Sequence, residues 1–372
     1  MDKSGNGKGY HFVSTHLYIT SSPGEMRLAV TENNCLVDFA LWRPGAPDGV
    51  GNIYSGCVTA VLPSMGGAFV HIGQDIDGFL PLPQGSQPLS EGQRITTQIT
   101  RAAQKGKGVR LTLINTTPKD PIGTCLSYGP TPLERLANQW THASISVDSP
   151  AVAARIPHHL RHRRIPGFLT PPEDIIAACE NLEEEEISLP KGMRAIITQT
   201  PALTAIDIDA PPLLGNISKH TAQYDMNVNA FPALTRHIRL RNLSGAIVID
   251  PAGVASRKRQ ALLTPICTAL KADPLRPRCL GITSLGLIEI VRTRIYPPLT
   301  ELYTSAHGHA LRALRHIVCH MPQITRLRCG IRILKALEHD TNALAECATS
   351  IGHPITLCHD PSLPAMHWIP EI

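Results

Sequence analysis

Two short apolar runs that each end in acid constrain this chain more than any other feature. The first run, from Thr200 to Asp209, reads TPALTAIDID, and the second, from Gly245 to Asp250, reads GAIVID. Alternation with period 2 places Asp207 and Asp209 on the same face of the first predicted strand. The second run is apolar up to its last residue, which predicts a buried strand with Asp250 at its carboxyl end.

Carboxylates on buried strands usually have a cation or a basic partner, because an unpaired buried charge is costly. Two or three carboxylates that converge at adjacent strand ends suit a divalent cation such as Mg2+, with water and a phosphate oxygen completing the octahedron. The simpler interpretation is that these acids only cap strands and turns. Taken by themselves, the two runs leave both interpretations open.

The residues between the two runs predict a basic helix. It would extend from Asn229 to Arg241, with Asn229 as its N-cap and Pro232 in its first turn. An apolar stripe would face the core, and the other faces would carry Arg236, His237, Arg239 and Arg241.

A second basic helix is predicted after Asp250 and a Pro-Ala-Gly turn. It opens with Arg257-Lys258-Arg259, and its core face would be formed by Leu262, Leu263, Ile266 and Leu270. An acidic pocket flanked by two basic helices suits phosphodiester hydrolysis, because the acids can hold a metal and the cations can contact neighbouring phosphates.

Three segments carry a resemblance to a known family. QTPALTAIDID, NVNAFPALTRHIRLRNLSGAIVID and GITSLGLIEIVRTR, in this order, resemble the catalytic core of the RNase E/G family of endoribonucleases. The resemblance implies Mg2+-dependent hydrolysis of single-stranded RNA that leaves a 5′ phosphate and a 3′ hydroxyl. It also implies that Asp207 and Asp250 hold the metal.

Asp209 departs from the family pattern, which has Asn at this position to orient a metal-bound carboxylate through its amide. An ionised Asp cannot donate that hydrogen bond. We therefore treat Asp209 as a third candidate catalytic residue beside Asp207 and Asp250, with the hypothesis that it becomes an additional metal ligand and alters activity. In the GLIEIVR segment, structural and phosphate-contact roles stay open for Glu289 and Arg292.

Residues 51–112 predict a small antiparallel barrel, because short alternating strands are separated by Gly and Pro. The segments GNIYSGCVTAVLPSMGGAFVHIGQDIDGFLPL and EGQRITTQITRAAQKGKGVRLT resemble an OB-fold RNA-binding domain of the kind first named in a ribosomal protein of the small subunit. The resemblance implies that Phe69 and Phe79 stack on RNA bases and that Lys107, in a G-K-G turn, contacts RNA. The alternatives are barrel core for the two rings and a solvated loop for the lysine.

Two features of the family pattern are absent from the sequence. The residues 113–143 contain no V-R-T-A segment, which in the family marks a pocket for the 5′ monophosphate of the substrate. The region after Arg294 contains no C-P-x-C motif, which in the family links two chains through zinc. We expect weak or no dependence on the RNA 5′ end, and we expect that any homo-oligomer is not zinc-linked.

Composition restricts the functional class only loosely. With 372 residues, 42% apolar and 17% charged, the chain is long enough for several globular domains. The net charge of +5 favours a polyanionic partner. Ten cysteines without a C-x-x-C pair, and no run of 18 apolar residues, predict a cytoplasmic protein with buried free thiols and no membrane segment.

The predicted fold class is a multidomain α/β (α+β) protein with five parts. An RNase H-like subdomain (residues 1–46, continued by 116–198 with a shortened 5′-sensor segment) carries the inserted OB-fold barrel (47–115). A DNase I-like catalytic domain (199–298) and a small C-terminal α/β domain (299–372) follow.

Two other functional hypotheses stay open beside the ribonuclease. A non-catalytic RNA-binding protein would keep the barrel but lack turnover, in line with the two missing motifs and with Asp209. A metal-dependent DNA nuclease would use the same acids, since an acidic pocket does not by itself require RNA.

Overall fold

The computed structural model describes residues 14–85, 87–104, 106–212 and 219–372. Residues 1–13 of the predicted first domain therefore lie outside the described residues. The described parts form four β-sheets with helices packed around them, which confirms a mixed, multidomain α/β protein. Within these ranges, no helix combines the length and the apolar character that crossing a membrane requires.

The first sheet has the strand order β10-β1-β2-β3, with β1 parallel to β10. Helices α1 and α2 pack on one face of this sheet, and helix α3 packs on the other. The bounds are β1 Thr15–Ser22, β2 Glu25–Glu32, β3 Cys35–Trp42, α1 Pro132–Gln139, β10 Ser144–Val147, α2 Pro150–Arg155 and α3 Glu173–Glu180.

A closed barrel lies between β3 and α1 in the chain. Its five strands follow the order β5-β6-β8-β7-β4, and β4 also pairs with β5 and closes the ring. All pairings in the ring are antiparallel except that of β6 with β8. Its strands are β4 Ile53–Leu62, β5 Gly67–His71, β6 Gly78–Pro81, β7 Arg94–Arg101 and β8 Arg110–Ile114, and β9 Cys125–Ser127 adds to the free edge of β4. The small barrel is present, and its assignment as an OB-fold stays a prediction.

The third sheet has the order β11-β12-β13-β14-β16-β15 and contains the two acidic runs. Helices α4 and α5 cover one of its faces. The bounds are β11 Glu186–Leu189, β12 Met193–Gln199, β13 Leu203–Asp209, α4 Lys219–Leu240, β14 Gly245–Asp250, α5 Leu263–Leu270, β15 Arg278–Ile282 and β16 Ile288–Arg292. The predicted start of the catalytic domain at residue 199 falls between the paired strands β12 and β13. The sheet begins earlier in the chain, at Glu186.

The C-terminal unit packs helices α7, α8 and α9 against a three-stranded sheet of order β18-β17-β19. The bounds are α6 Leu299–Thr304, α7 Ala306–His320, β17 Arg326–Cys329, α8 Ile331–His339, α9 Thr341–Ile351, β18 Thr356–His359 and β19 Trp368–Glu371. His307, which lies in the region where the family has its zinc motif, contacts Asp340 at 2.9 Å.

Two sequence-based expectations about strands are wrong in detail. From the sequence alone, EMRLAVTENNCLVDFALW (Glu25 to Trp42) predicts one strand, but two residues with positive φ, Asn33 and Asn34, divide it into the hairpin β2–β3. Two adjacent asparagines with positive φ form the type of turn that matches hairpin twist. From the sequence alone, the residues after Cys358 predict an irregular end, whereas Trp368 begins β19, which pairs antiparallel with β17.

Helix α4 differs most from its prediction. It begins ten residues before Asn229, and Pro232 lies in its interior instead of its first turn. The buried amide of Asn227 bonds the Gln223 and Ala252 carbonyls at 2.8 and 2.9 Å and accepts from the Ala252 amide at 3.1 Å. These tertiary bonds fix the early turns of the helix, and burial of its apolar face offsets the roughly 3 kcal/mol cost of an internal proline.

Two buried ion pairs stabilise the fold, and the arginine of one of them also links two units. Glu25, at the start of β2, bonds Arg43 at 2.7 Å, and Arg43 also donates to the Leu302 carbonyl of α6 at 2.9 Å. Arg292, at the end of β16, bonds Asp273 at 2.7 Å and Asn242 at 2.8 Å. Of the two roles left open for Arg292, the structure shows the structural one.

All ten cysteines are free thiols. Cys179, Cys329 and Cys347 are buried as predicted, and burial raises their thiol pKa to about 12 for Cys179 and about 11 for the other two. Cys35 and Cys319 are exposed, so the prediction of buried thiols is wrong for these two.

Replacement of Asn227 by Ala removes the partners of two buried backbone groups in the loop after Asp250. We expect the free energy of unfolding to fall by about 2–4 kcal/mol, measured by urea unfolding. Asn229→Ala is the matched control, because Asn229 is exposed in the same helix. If Asn229 were the N-cap of the helix, its loss would cost about 1 kcal/mol of stability. Because Asn229 lies inside α4, Asn229→Ala should leave the free energy of unfolding unchanged or raise it.

His237 makes the stability of α4 depend on pH. Burial, and secondarily the charges of Arg241 and Arg236, lower the pKa of His237 to about 4. Between pH 6.5 and 4 the unfolded chain binds a proton at this ring that the folded chain does not, so stability falls as pH falls through this range. We expect a loss of up to about 3 kcal/mol, measured by amide hydrogen exchange in α4. His237→Gln should lack this component; an identical pH dependence in both proteins would contradict it.

Candidate active site

The acids of the two apolar runs end neighbouring strands of the third sheet. Asp207 on β13 and Asp250 on β14 are direct partners in the parallel register. Adjacent strands lie about 4.8 Å apart, so the two carboxylates leave the sheet side by side. Both strands therefore bring their acids to one place, as the sequence predicted.

The acids lie on the face of the sheet that α4 and α5 do not cover. Ile206 and Ile208 are buried under the helices, while Asp207 is exposed and Asp209 half-buried on the opposite face. On β14, Ile247 and Ile249 are buried, but Ala246 is exposed. The expectation that the second run is buried along its length is wrong, because only alternate residues of β14 face the helices.

Arg259 orients the carboxylate of Asp250. Its Nη1 donates to Asp250 Oδ1 at 2.7 Å and to the Gly286 carbonyl at 2.8 Å, and its Nε donates to the Val254 carbonyl at 2.7 Å. The Arg259 side chain is only 14% exposed, whereas that of Asp250 is 49% exposed. A nearly buried arginine thus holds one oxygen of an accessible acid.

Asp209 has a different environment from the other two acids. It is the register partner of Arg194 on β12, whose Nη2 and Nε approach Asp209 Oδ2 at 3.1 and 3.2 Å. In the described part of the chain, no group of three or more His, Cys, Asp or Glu side chains is arranged to hold a metal ion. The site therefore offers a pair of acids, with Asp209 beside it in an ion pair.

Arg236 and Arg239 do not flank the acidic pair. Helix α4 covers the opposite face of the sheet, so the sheet separates both arginines from Asp207 and Asp250. Arg239 donates to the Ala272 carbonyl at 3.0 Å and to the Val37 carbonyl of the first sheet. The expected acidic pocket between two basic helices is thus wrong for α4, and RNA contact by Arg236 or Arg239 stays a prediction.

A pocket of about 490 Å3 lies between the start of α4 and the residues after Asp250. Arg257 and Lys258 line it together with Tyr224 and Val254. The second basic segment therefore does lie near the loop that leaves Asp250.

Phe69 and Phe79 form an aromatic pair on the outside of the barrel. They are register partners on β5 and β6, with ring centroids 5.7 Å apart at an angle of 67°. Both are half-buried, whereas the barrel core contains their neighbours Ala68, Val70 and Leu80. The structure therefore excludes the alternative that the two rings are barrel core. A Cβ on Gly67 would overlap the Phe79 ring, so this glycine gives the ring its place.

Lys107 lies in a tight hairpin between β7 and β8. Its backbone amide donates to the Gln104 carbonyl at 3.1 Å, and the Gln104 amide donates back at 3.2 Å. The lysine is exposed. Its position suits both RNA contact and a solvated loop.

Sequence reasoning missed three residues that organise the site. Arg194 on β12 binds Asp209 on the next strand, and Arg259 binds Asp250 on the strand before it. Asn227 forms hydrogen bonds with the loop after Asp250. Arg259 was recognised only as part of a basic cluster. The period of β12, with Arg194 at an exposed position before buried Ala195, was the one available signal.

Comparison with known proteins shows similarity to one family of ribonucleases. The model of the ribonuclease E/G family matches residues 141–295, which include all three acids. Over these residues the chain is similar to the ribonuclease E/G family, and the ribonucleases it resembles match most of its length. Ribonuclease G of Haemophilus influenzae is 24% identical over 431 aligned positions, which cover 84% of this chain and 88% of that protein.

Other members of the ribonuclease E/G family match over similar ranges. Ribonuclease G of Escherichia coli K12 is 22% identical, over 90% of this chain and 92% of that protein. Ribonuclease E of Haemophilus influenzae is 24% identical, over 74% of this chain but only 41% of that protein. The aligned span of 454 positions with the Escherichia coli protein exceeds the 372 residues of this chain, so that relative contains residues with no counterpart here.

Proposed function

We propose that this protein is an endoribonuclease that hydrolyses single-stranded RNA with Asp207 and Asp250 as ligands of Mg2+. The observation that carries the proposal is the parallel register that places these two carboxylates side by side on an open sheet face. Similarity to the ribonuclease E/G family supports the same reaction. The products would be a 5′ phosphate and a 3′ hydroxyl, and the setting RNA processing or decay in the cytoplasm.

The residues present fit Mg2+. Mg2+ prefers one or two carboxylates and keeps its other positions for water and substrate phosphate, and the site provides two carboxylates on a solvent-facing surface. When bound, the ion would polarise the scissile phosphate and lower the pKa of water. Arg259 fixes the orientation of the Asp250 carboxylate and leaves the direction of Oδ2 defined for a ligand.

Asp209 would act through Arg194 and not as a ligand. Arg194 cancels the charge of Asp209 and lies on the same open face as Asp207, because its register partner Asp209 does. In this arrangement Asp209 positions a guanidinium beside the metal site, where it can contact the RNA backbone. The hypothesis of a third ligand is kept as the alternative that experiment can separate.

The barrel would hold the RNA strand. Stacking of one base on an exposed aromatic ring contributes about 1–3 kcal/mol and does not depend on sequence. Phe69 and Phe79 form one such surface, and Lys107 lies at the tip of a nearby hairpin. Loss of these contacts would weaken binding to RNA without changing the hydrolytic step.

Cleavage of an A/U-rich single-stranded oligoribonucleotide in Mg2+ tests the proposed function. Asp207→Asn and Asp250→Asn should each lower the rate at least about 100-fold, the scale of losing one preorganised electrostatic contact, and EDTA should abolish cleavage. Asp174→Asn, at an exposed acid of α3, is the control that should keep full activity. Tight binding of the RNA without cleavage would favour the non-catalytic RNA-binding protein. Equal cleavage of a corresponding single-stranded DNA oligonucleotide would favour the DNA nuclease.

A double-mutant cycle on Asp209 and Arg194 separates the two roles of Asp209. Asp209→Asn removes one negative charge and leaves Arg194 with only its longer contact to Glu186 at 3.8 Å, so the Mg2+ concentration for half-maximal rate should rise about two- to fivefold. Arg194→Gln should lower it by a similar factor. The double variant restores a neutral pair and should return to the wild-type requirement; if it still needs more Mg2+, Asp209 is a ligand.

A further inference from the structure

Three arginines meet where the barrel touches the third sheet. Arg101 ends β7 and Arg110 begins β8, and the two are direct partners in the antiparallel register. The amide of Ala102 donates to the carbonyl of Ile295 at 2.8 Å, which brings Arg294 to the same place. The Arg294 side chain lies against Gly245 and occupies the space that a Cβ would fill.

The positive charge of this arginine cluster (Arg101, Arg110 and Arg294) is not neutralised by described residues. Among the described carboxylates, none forms an ion pair with any of the three. The Nε of Arg101 is buried, and no described residue accepts a hydrogen bond from it. Burial, together with the charges of Arg110 and Arg294, lowers the pKa of Arg101.

Such an arrangement is unfavourable for the protein alone. Like charges directly opposite on paired strands repel, and a buried donor without an acceptor costs free energy. A bound anion reverses both effects, because guanidinium groups form bidentate, charge-assisted hydrogen bonds with phosphate oxygens. The cluster therefore has the properties of an anion site that is completed by its ligand.

We propose that Arg101, Arg110 and Arg294 bind one backbone phosphate of the RNA strand as it passes from the barrel to the acids, which rests on the proposed function. Arg110 is the register partner of Phe79 across β6 and β8. A base stacked on Phe69 and Phe79 would thus place its neighbouring phosphate beside the cluster. The barrel and the catalytic sheet contribute to the site jointly.

The site is separate from the scissile phosphate. Arg294 lies at Gly245, the first residue of β14, and Asp250 is its last residue. At about 3.3 Å per residue, the two ends of the strand are roughly 17 Å apart. Loss of the cluster should therefore raise KM and leave kcat nearly unchanged.

The test measures affinity for a single-stranded oligoribonucleotide as a function of salt, with Arg110→Gln and Arg294→Gln each placed in Asp207→Asn protein to prevent cleavage. Each substitution should lower affinity about tenfold and reduce the slope of log affinity against log salt by about 0.7. The loss should be equal for oligonucleotides of different sequence, because phosphate contacts carry no sequence information. Arg332→Gln, at an exposed residue of α8, is the control that should change neither quantity.

Thermal unfolding without RNA distinguishes binding from a structural role. Arg110→Gln relieves a repulsion, so its Tm should equal or exceed that of the parent; a fall in Tm together with an unchanged salt slope would overturn the proposal. Inorganic phosphate should compete with RNA better than chloride at equal ionic strength, because the same guanidinium groups contact phosphate oxygens, and Arg110→Gln should reduce this difference. A reduced phosphate effect in Arg110→Gln with unchanged RNA affinity and salt slope would assign the cluster to free phosphate instead of the RNA backbone.

The result of the RNA-binding test does not depend on whether the protein cleaves RNA. If the wild-type protein cleaves RNA but both arginine variants keep the parent affinity and salt slope, the arginine site is wrong and the proposed function stands. If no cleavage occurs but both variants lose affinity for RNA and show a smaller salt slope, the arginine site stands and the proposed function is wrong.

Discussion

The parallel pairing of β13 with β14 is the constraint on which the candidate site depends. Its register makes Asp207 and Asp250 neighbours, and a shift by one residue would turn one acid into the helix-covered core. The register is fixed from the other side of the sheet, where Ile206, Ile208, Ile247 and Ile249 pack under α4 and α5. The same packing that buries the isoleucines therefore exposes the acids.

Helix α4 connects this packing with the loop that follows Asp250. Phe231, Leu234 and Ile238 are fully buried in the core of the third sheet, and Asn227 bonds both backbone groups of Ala252. Arg259 then reaches back from the next segment to Asp250. The position of one carboxylate thus depends on a helix that lies on the far side of the sheet.

The sequence predicted those parts of the site that depend on local periodicity. Strands β13 and β14 with their acids, and the basic segment after Asp250, follow from patterns within about ten residues. The small barrel follows from short alternating strands repeated over residues 51–112. The start of α4 was wrong, because it depends on bonds between Asn227 and a loop 25 residues later. Arg194 was missed for a similar reason: its partner Asp209 is fixed by cross-strand register, which no single stretch of sequence displays.

Charge balance explains why an open sheet face with three acids suits a cation and then a phosphate. Asp250 has Arg259, and Asp209 shares Arg194 with Glu186, whereas within the described residues Asp207 has no ion pair. The four acids and two arginines therefore carry a net charge of −2. Asp207 and Asp250 also repel each other, since their strands lie only about 4.8 Å apart. A divalent cation would remove this repulsion and bring the net charge of the group from −2 to 0. The two arginines, which weaken the field on the cation, are then the reason that the occupied site does not repel a phosphodiester.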